Sequence, residues 1–82
     1  MRGTVRIVSE QTGFVAVETE RGYTVLEPLN GEPIEIGDII SGTGLERLGG
    51  ATLWSETKQQ ELRAFVQDVF GSLDRAKALL QG

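Results

Sequence analysis

The stretch Gly3-Thr4-Val5-Arg6-Ile7-Val8-Ser9-Glu10-Gln11-Thr12-Gly13-Phe14-Val15-Ala16-Val17 decides the fold of this chain. Val5 and Ile7 alternate with Thr4 and Arg6, the two-residue period of a strand with one buried face. Gln11-Thr12-Gly13 interrupts the pattern, and from Phe14 to Thr19 the residues are again rich in β-formers. Glu20-Arg21-Gly22 makes a tight turn into Tyr23-Thr24-Val25-Leu26-Glu27, so the second and third strands are neighbours in one meander.

Working outward from there, Pro28-Leu29-Asn30-Gly31-Glu32-Pro33 is a loop, because proline cannot continue a ladder and Asn-Gly tolerates positive φ. Ile34-Glu35-Ile36 leads through Gly37-Asp38 to a fourth strand that runs on through Gly42-Thr43, and Ala51-Thr52-Leu53-Trp54 reads as a fifth. Eleven glycines exceed the usual share of roughly 7% and suit a strongly bent sheet with tight corners. The tail after Glu56 admits two readings. Leu62, Phe65, Val66, Val69, Leu73, Ala76 and Leu80 fall at helical spacing, which would allow one long amphipathic helix. Gly71-Ser72 instead favours a closing strand over 62–69 and a short helix capped by Ser72, with Asp74 in its first turn. The second reading is preferred, because a barrel needs a closing strand.

Eighty-two residues make one domain, and a chain this short buries only about 60% of the surface that its unfolded form exposes. It contains neither cysteine nor histidine. Disulfides, thiolate zinc sites and histidine-based triads are therefore excluded, and no metal, cofactor or catalytic residue is expected. Met1 to Arg6 lacks an apolar signal core, and the longest apolar runs fall far short of a membrane span, so a cytoplasmic protein that does not enter membranes is expected. The net charge is −4, and all of it lies in residues 1–55, where four arginines face eight carboxylates; residues 56–82 balance. A polyanion would be repelled there unless the arginines cluster on one face.

The segment from Gly3 to Val17 resembles the opening of a cold-shock domain, G-x-V-K-W-F-N-x-x-K-G-F-G-F-I, with the same spacing from first glycine to Gly-Phe. Ile36-Gly37-Asp38-Ile39-Ile40 is similar to that family's E-G-D-x-V segment. The resemblance spans residues 3–54 and implies an oligonucleotide-binding (OB) type barrel. It also implies a platform of aromatics for stacking bases, and here the sequence departs from it: Ile7, Val8, Thr12 and Ala16 stand at platform positions where the family has aromatics or lysine. Phe14 and Arg6 alone keep the motif. Stacking contributes about 1–3 kcal/mol per base, so most of the family's affinity for single strands should be missing.

Four residues remain as candidates for ligand binding. If Val15 and Val17 face the core, Phe14 and Ala16 point outward by alternation; Tyr23 would extend the patch across the hairpin, and Arg6 and Arg21 would rim it. The alternative is that the C-terminal segment covers Phe14. Trp54 reads as core or lid, and Phe65 and Phe70 as a seal between barrel and helix. Leu73, Ala76 and Leu80 are the expected docking face of the helix. Glu18 and Glu20 share a strand face but read as a solvated hairpin end, and Gly42-Thr43-Gly44 lacks the lysine and third glycine of a phosphate loop.

The expectation is a mainly β, five- to six-stranded antiparallel OB-like barrel with a short C-terminal α-helix. Its strands should lie at about 3–9, 14–20, 23–27, 36–44, 51–55 and 62–69, with the helix at 73–80. The expected function is non-enzymatic binding of a protein partner. Weak binding of single-stranded nucleic acid through Phe14, Tyr23, Arg6 and Arg21 is the alternative.

Overall fold

Two three-stranded meanders close on each other in the computed structural model, which describes residues 1–29, 31 and 33–81. The first comprises β1 (Arg2–Val8), β2 (Val15–Thr19) and β3 (Gly22–Pro28). The second comprises β4 (Ile39–Ser41), β5 (Gly49–Ser55) and β6 (Gln60–Gly71), and helix α1 (Leu73–Leu80) follows it. Antiparallel pairing of β1 with β4 and of β3 with β6 completes a closed barrel in the order β1-β2-β3-β6-β5-β4. The architecture is thus mainly β with a short C-terminal helix, compatible with an OB-type barrel, and closure takes six strands. Among the described residues no helix is long and apolar enough to cross a membrane.

Local chemistry explains each corner. Glu20 and Arg21 form the two-residue turn between β2 and β3, where Thr19 pairs with Gly22 and its hydroxyl donates to the Gly22 carbonyl at 2.8 Å. Gly22 has φ of 126°, and a Cβ there would stand 2.9 Å from the Phe70 backbone, so only glycine lets β3 start beside the end of β6. Residue 62–69 of the tail lies within β6, which runs without a break from Gln60 to Gly71. It is long enough to pair with β5 through its first half and with β3 through its second. Ser72 then caps α1 by accepting the Arg75 N–H at 3.1 Å.

The fourth strand is shorter than its sequence pattern, three residues instead of 36–44. Ile36 and Gly37 form a turn, with Gly37 at φ 98°, and Asp38 closes it by accepting the Glu35 N–H on its carboxylate at 3.0 Å. At the other end Gly42, with φ of 139°, takes the chain out of the ladder into a 3₁₀ turn over Thr43–Glu46. This turn plugs one end of the barrel with Leu45, which is fully buried and whose carbonyl accepts the buried Thr24 hydroxyl at 3.0 Å. Asn30 and Glu32 of the Pro28–Pro33 loop lie outside the described residues.

Alternation divides the apolar residues into two cores, except that a bulge between Val5 and Ile7 puts these two on opposite faces instead of the shared one their spacing predicts. Inside the barrel Val5, Val15, Val17, Leu26, Ile40, Leu45, Leu53, Leu62 and Val66 pack together. Burying each of these contributes on the order of 1.5–3 kcal/mol relative to exposure. Outside the barrel a second cluster of Ala16, Val25, Ala76 and Leu80 joins α1 to β2 and β3.

Candidate functional site

The outer face of β1–β2–β3, where the sequence places a ligand patch, is the seat of α1. Ala16 does point out of the barrel, as alternation requires, yet it is fully buried because Ala76 and Leu80 lie on it. Ile7, Phe14, Tyr23 and Leu79 ring this contact and are half-buried. Phe14 and Tyr23 therefore do belong to one cluster, but that cluster receives the protein's own helix. The two arginines are engaged as well. Arg6 Nε donates to Glu18 Oε1 at 2.8 Å, and the Arg21 guanidinium sits 4.3 Å above the centre of the Phe70 ring.

Polar contacts fix both ends of α1 on this face. At its start Arg75 donates to Asp68 of β6 at 2.8 Å. At its end the Leu80 carbonyl, one of the helix's orphan acceptors, takes hydrogen bonds from the Ser9 hydroxyl at 2.9 Å and the Thr12 hydroxyl at 3.0 Å. Thr12, the position of a lysine in the cold-shock motif, thus serves here as a clasp for the helix. A shallow groove of about 280 Å³ lined by Ile7, Ser9, Gln11, Lys77, Leu80 and Gln81 is what stays open beside it.

Opposite to this lies a bare face. On β5 and β6 the pairs Gly50 with Phe65, Thr52 with Arg63 and Trp54 with Glu61 all point outward and are exposed, while Ala51, Leu53, Leu62, Ala64 and Val66 point in. Trp54 is 42% exposed and Phe65 44%, which corrects the reading of Trp54 as core or lid and of Phe65 as a seal against the helix. The reason is geometric: α1 covers the first meander, so among the described residues the outward row of β5–β6 has no second layer. Phe70 is half-buried beneath Arg21 and is outside the helix cluster. Leu29, whose N–H donates to the Arg63 carbonyl at 2.9 Å, adds a third large apolar side chain at 56% exposure. Leu73 is also exposed, so the docking face of α1 is Ala76, Leu79 and Leu80.

One charged cluster escaped the sequence reading. Lys58, in the turn between β5 and β6, bonds Glu35 at 2.5 Å and lies 3.3 Å from the Asp38 carboxylate, which is buried. The Glu35 hydrogen bond holds the Lys58 ammonium above its ordinary pKa, against desolvation and with support from Asp38. The cluster pins the β3–β4 connection to the β5–β6 turn. Residues 23 positions apart form it, and no local pattern announces such a pairing. Of the carboxylates considered for acid–base work, Glu18 is held by Arg6 and Glu20 lies in the β2–β3 turn.

No family model, no curated protein and no solved structure matches this chain.

Proposed function

We propose that this chain is a non-enzymatic binding module for another protein, in a reducing compartment such as the cytoplasm, which a cysteine-free chain suits. One observation carries the reading. Helix α1 lies over the face that the cold-shock resemblance reserves for bases, whereas Leu29, Trp54 and Phe65 stand exposed on the other side of the barrel. Large apolar residues gathered on one exposed face, with charges among them, are characteristic of protein contact surfaces. The net charge of −4 works against a polyanion.

Weak binding of single strands through Phe14, Tyr23, Arg6 and Arg21 is the second reading, favoured by the retained Gly13-Phe14 pair. It requires Arg6 to leave Glu18, Arg21 to leave Phe70, and α1 to move aside. An affinity of about 10⁻⁴ M or weaker at physiological salt is expected from the few phosphate contacts on offer. Titration of the ¹⁵N-labelled chain with oligothymidine at low and moderate salt tests this. Shifts centred on Phe14, Tyr23, Arg6 and Arg21 that saturate at low micromolar concentration and persist in salt would overturn the protein-binding reading.

A further inference from the structure

The short β4 leaves a gap in the ladder beside β5. Ser41 stands opposite Trp54, and the Glu56 N–H donates to the Ile39 carbonyl at 2.8 Å, so the backbone groups of Trp54 and Glu56 face β4. The two-residue period turns those of Gly50 and Thr52 the same way. There β4 has already ended: at Gly42 the chain turns off, sends its N–H to the Met1 carbonyl at 3.0 Å and enters the 3₁₀ turn. Gly50 and Thr52 are exposed and have no strand partner on that side. A strand edge of this kind is a template for a further strand, and natural proteins commonly blunt it with lysine, proline or a covering element.

Here the 3₁₀ turn stands beside β5, with Gly44 packed against Ala51, but among the described residues it makes no backbone hydrogen bond to Gly50 or Thr52. A groove of about 340 Å³ runs along this edge between the 3₁₀ turn and β5, lined by Thr43, Gly44, Arg47, Leu48, Gly50 and Thr52 among others. A Cβ built on Gly49 or Gly50 would meet nothing within 4 Å, so the space over these two residues is open as well. Leu48, 65% exposed, offers an apolar contact at its rim. The charge is unlike that of the rest of the chain. Arg47 lines the groove and Arg63 faces outward opposite Thr52, and among the described residues neither makes an ion pair.

We propose that this groove binds an extended acidic segment of a partner protein, which adds a strand to β5 at Gly50–Thr52 and sets its carboxylates against Arg47 and Arg63. Main-chain hydrogen bonds supply the attachment, and alternate side chains supply the choice of partner. The inference rests on the protein-binding reading and narrows it to one edge.

Amide hydrogen exchange and chemical shifts of the full ¹⁵N-labelled chain test it, with a capped peptide of alternating valine and aspartate as probe. In the free chain the Gly50 and Thr52 amides should exchange at least about a hundredfold faster than those of Ala51 and Leu53, which face β6. The peptide should shift both and slow their exchange by about tenfold or more. Arg47→Glu with Arg63→Glu should abolish the effect, and a valine–lysine peptide should produce none in the parent. Slow exchange of Gly50 and Thr52 in the dilute free chain, or no response to the acidic peptide, would overturn the proposal. So would protection that grows with protein concentration alone, which would assign the edge to a second copy. Shifts confined to Trp54 and Phe65 would sink strand addition while leaving a protein partner in place. Oligothymidine moving Gly50 and Thr52 as strongly as the peptide would sink both.

Discussion

On the first meander the outward row contains Ile7, Ala16, Tyr23 and Val25; on β5–β6 it contains Gly50, Thr52, Trp54, Glu61, Arg63 and Phe65. Both rows follow from the alternation of a closed barrel, with a bulge after Val5 turning Ile7 outward in the first. They differ in what can sit on them. Ala16 at the centre of the first row is small, and Ala76 of α1 is small too, so the helix approaches closely and is fixed at both ends by Asp68 and by the Ser9–Thr12 clasp. The second row interleaves rings with charges, a surface on which no helix or strand of the described residues is seated. A helix added to one side of a small barrel thus decides which face is structural and which stays exposed.

The largest consequence of that asymmetry should appear at Leu80. Its side chain is 4% exposed and belongs to the helix cluster. Leu80→Ala is expected to cost about 2–3 kcal/mol, near the lower end of buried leucine truncations because it lies in the last turn of a short helix. Denaturant unfolding monitored by circular dichroism measures it. A variant as stable as the parent would mean that α1 contributes little to the barrel, and the two faces would then be equivalent.

How much of this was legible in the sequence depends on the range of the interactions. The alternation of Val15 with Val17, the Glu20-Arg21-Gly22 turn and the Ser72 cap are local, and each is found where its pattern put it, whereas a bulge between Val5 and Ile7 breaks the alternation expected there and sends Val5 into the barrel and Ile7 out of it. The strand ending at Gly71 and the helix starting at Leu73 follow from one glycine–serine break. Tertiary choices were not legible. Alternation says that Ala16 leaves the barrel interior; it cannot say that a helix then covers it. The same gap misplaced Trp54, Phe65 and Leu73, whose apolar side chains imply burial only if a second layer exists there. Gly42 was visible, but its φ of 139° and the departure into a 3₁₀ turn depend on Leu45 finding the open end of the barrel.

A smaller effect should come from the clasp. Ser9→Ala combined with Thr12→Val removes both hydrogen bonds to the Leu80 carbonyl and the local bonds that these hydroxyls accept from the Thr12 and Phe14 N–H groups. A loss of roughly 1–2 kcal/mol is expected, since each such bond contributes about 1 kcal/mol net and water can replace part of it at a helix end. Exchange of the α1 amides should accelerate more than that of β5 and β6. Equal acceleration everywhere would mean that the clasp acts on global stability and does not specifically hold the helix on its seat.

The smallest effect is expected on the bare face, and it tests the comparison from the other side. Phe65 is 44% exposed and stands opposite Gly50, so truncation creates no internal cavity. Phe65→Ala should therefore change stability by about 1 kcal/mol or less, the scale of strand propensity and cross-strand packing. Trp54, the only tryptophan of the chain, reports the same face spectroscopically. Its emission should be readily quenched by acrylamide in the folded protein, because 42% of the residue is exposed. A cost at Phe65 comparable to that of Leu80→Ala, or a tryptophan shielded from quencher in a chain shown to be monomeric, would mean that something in this protein covers β5–β6. Shielding that appears only as concentration rises would instead identify a second copy as the cover. With neither outcome, the row of Trp54, Arg63 and Phe65 costs the fold less to change than the seat of the helix does, and its composition is freer to answer to a partner.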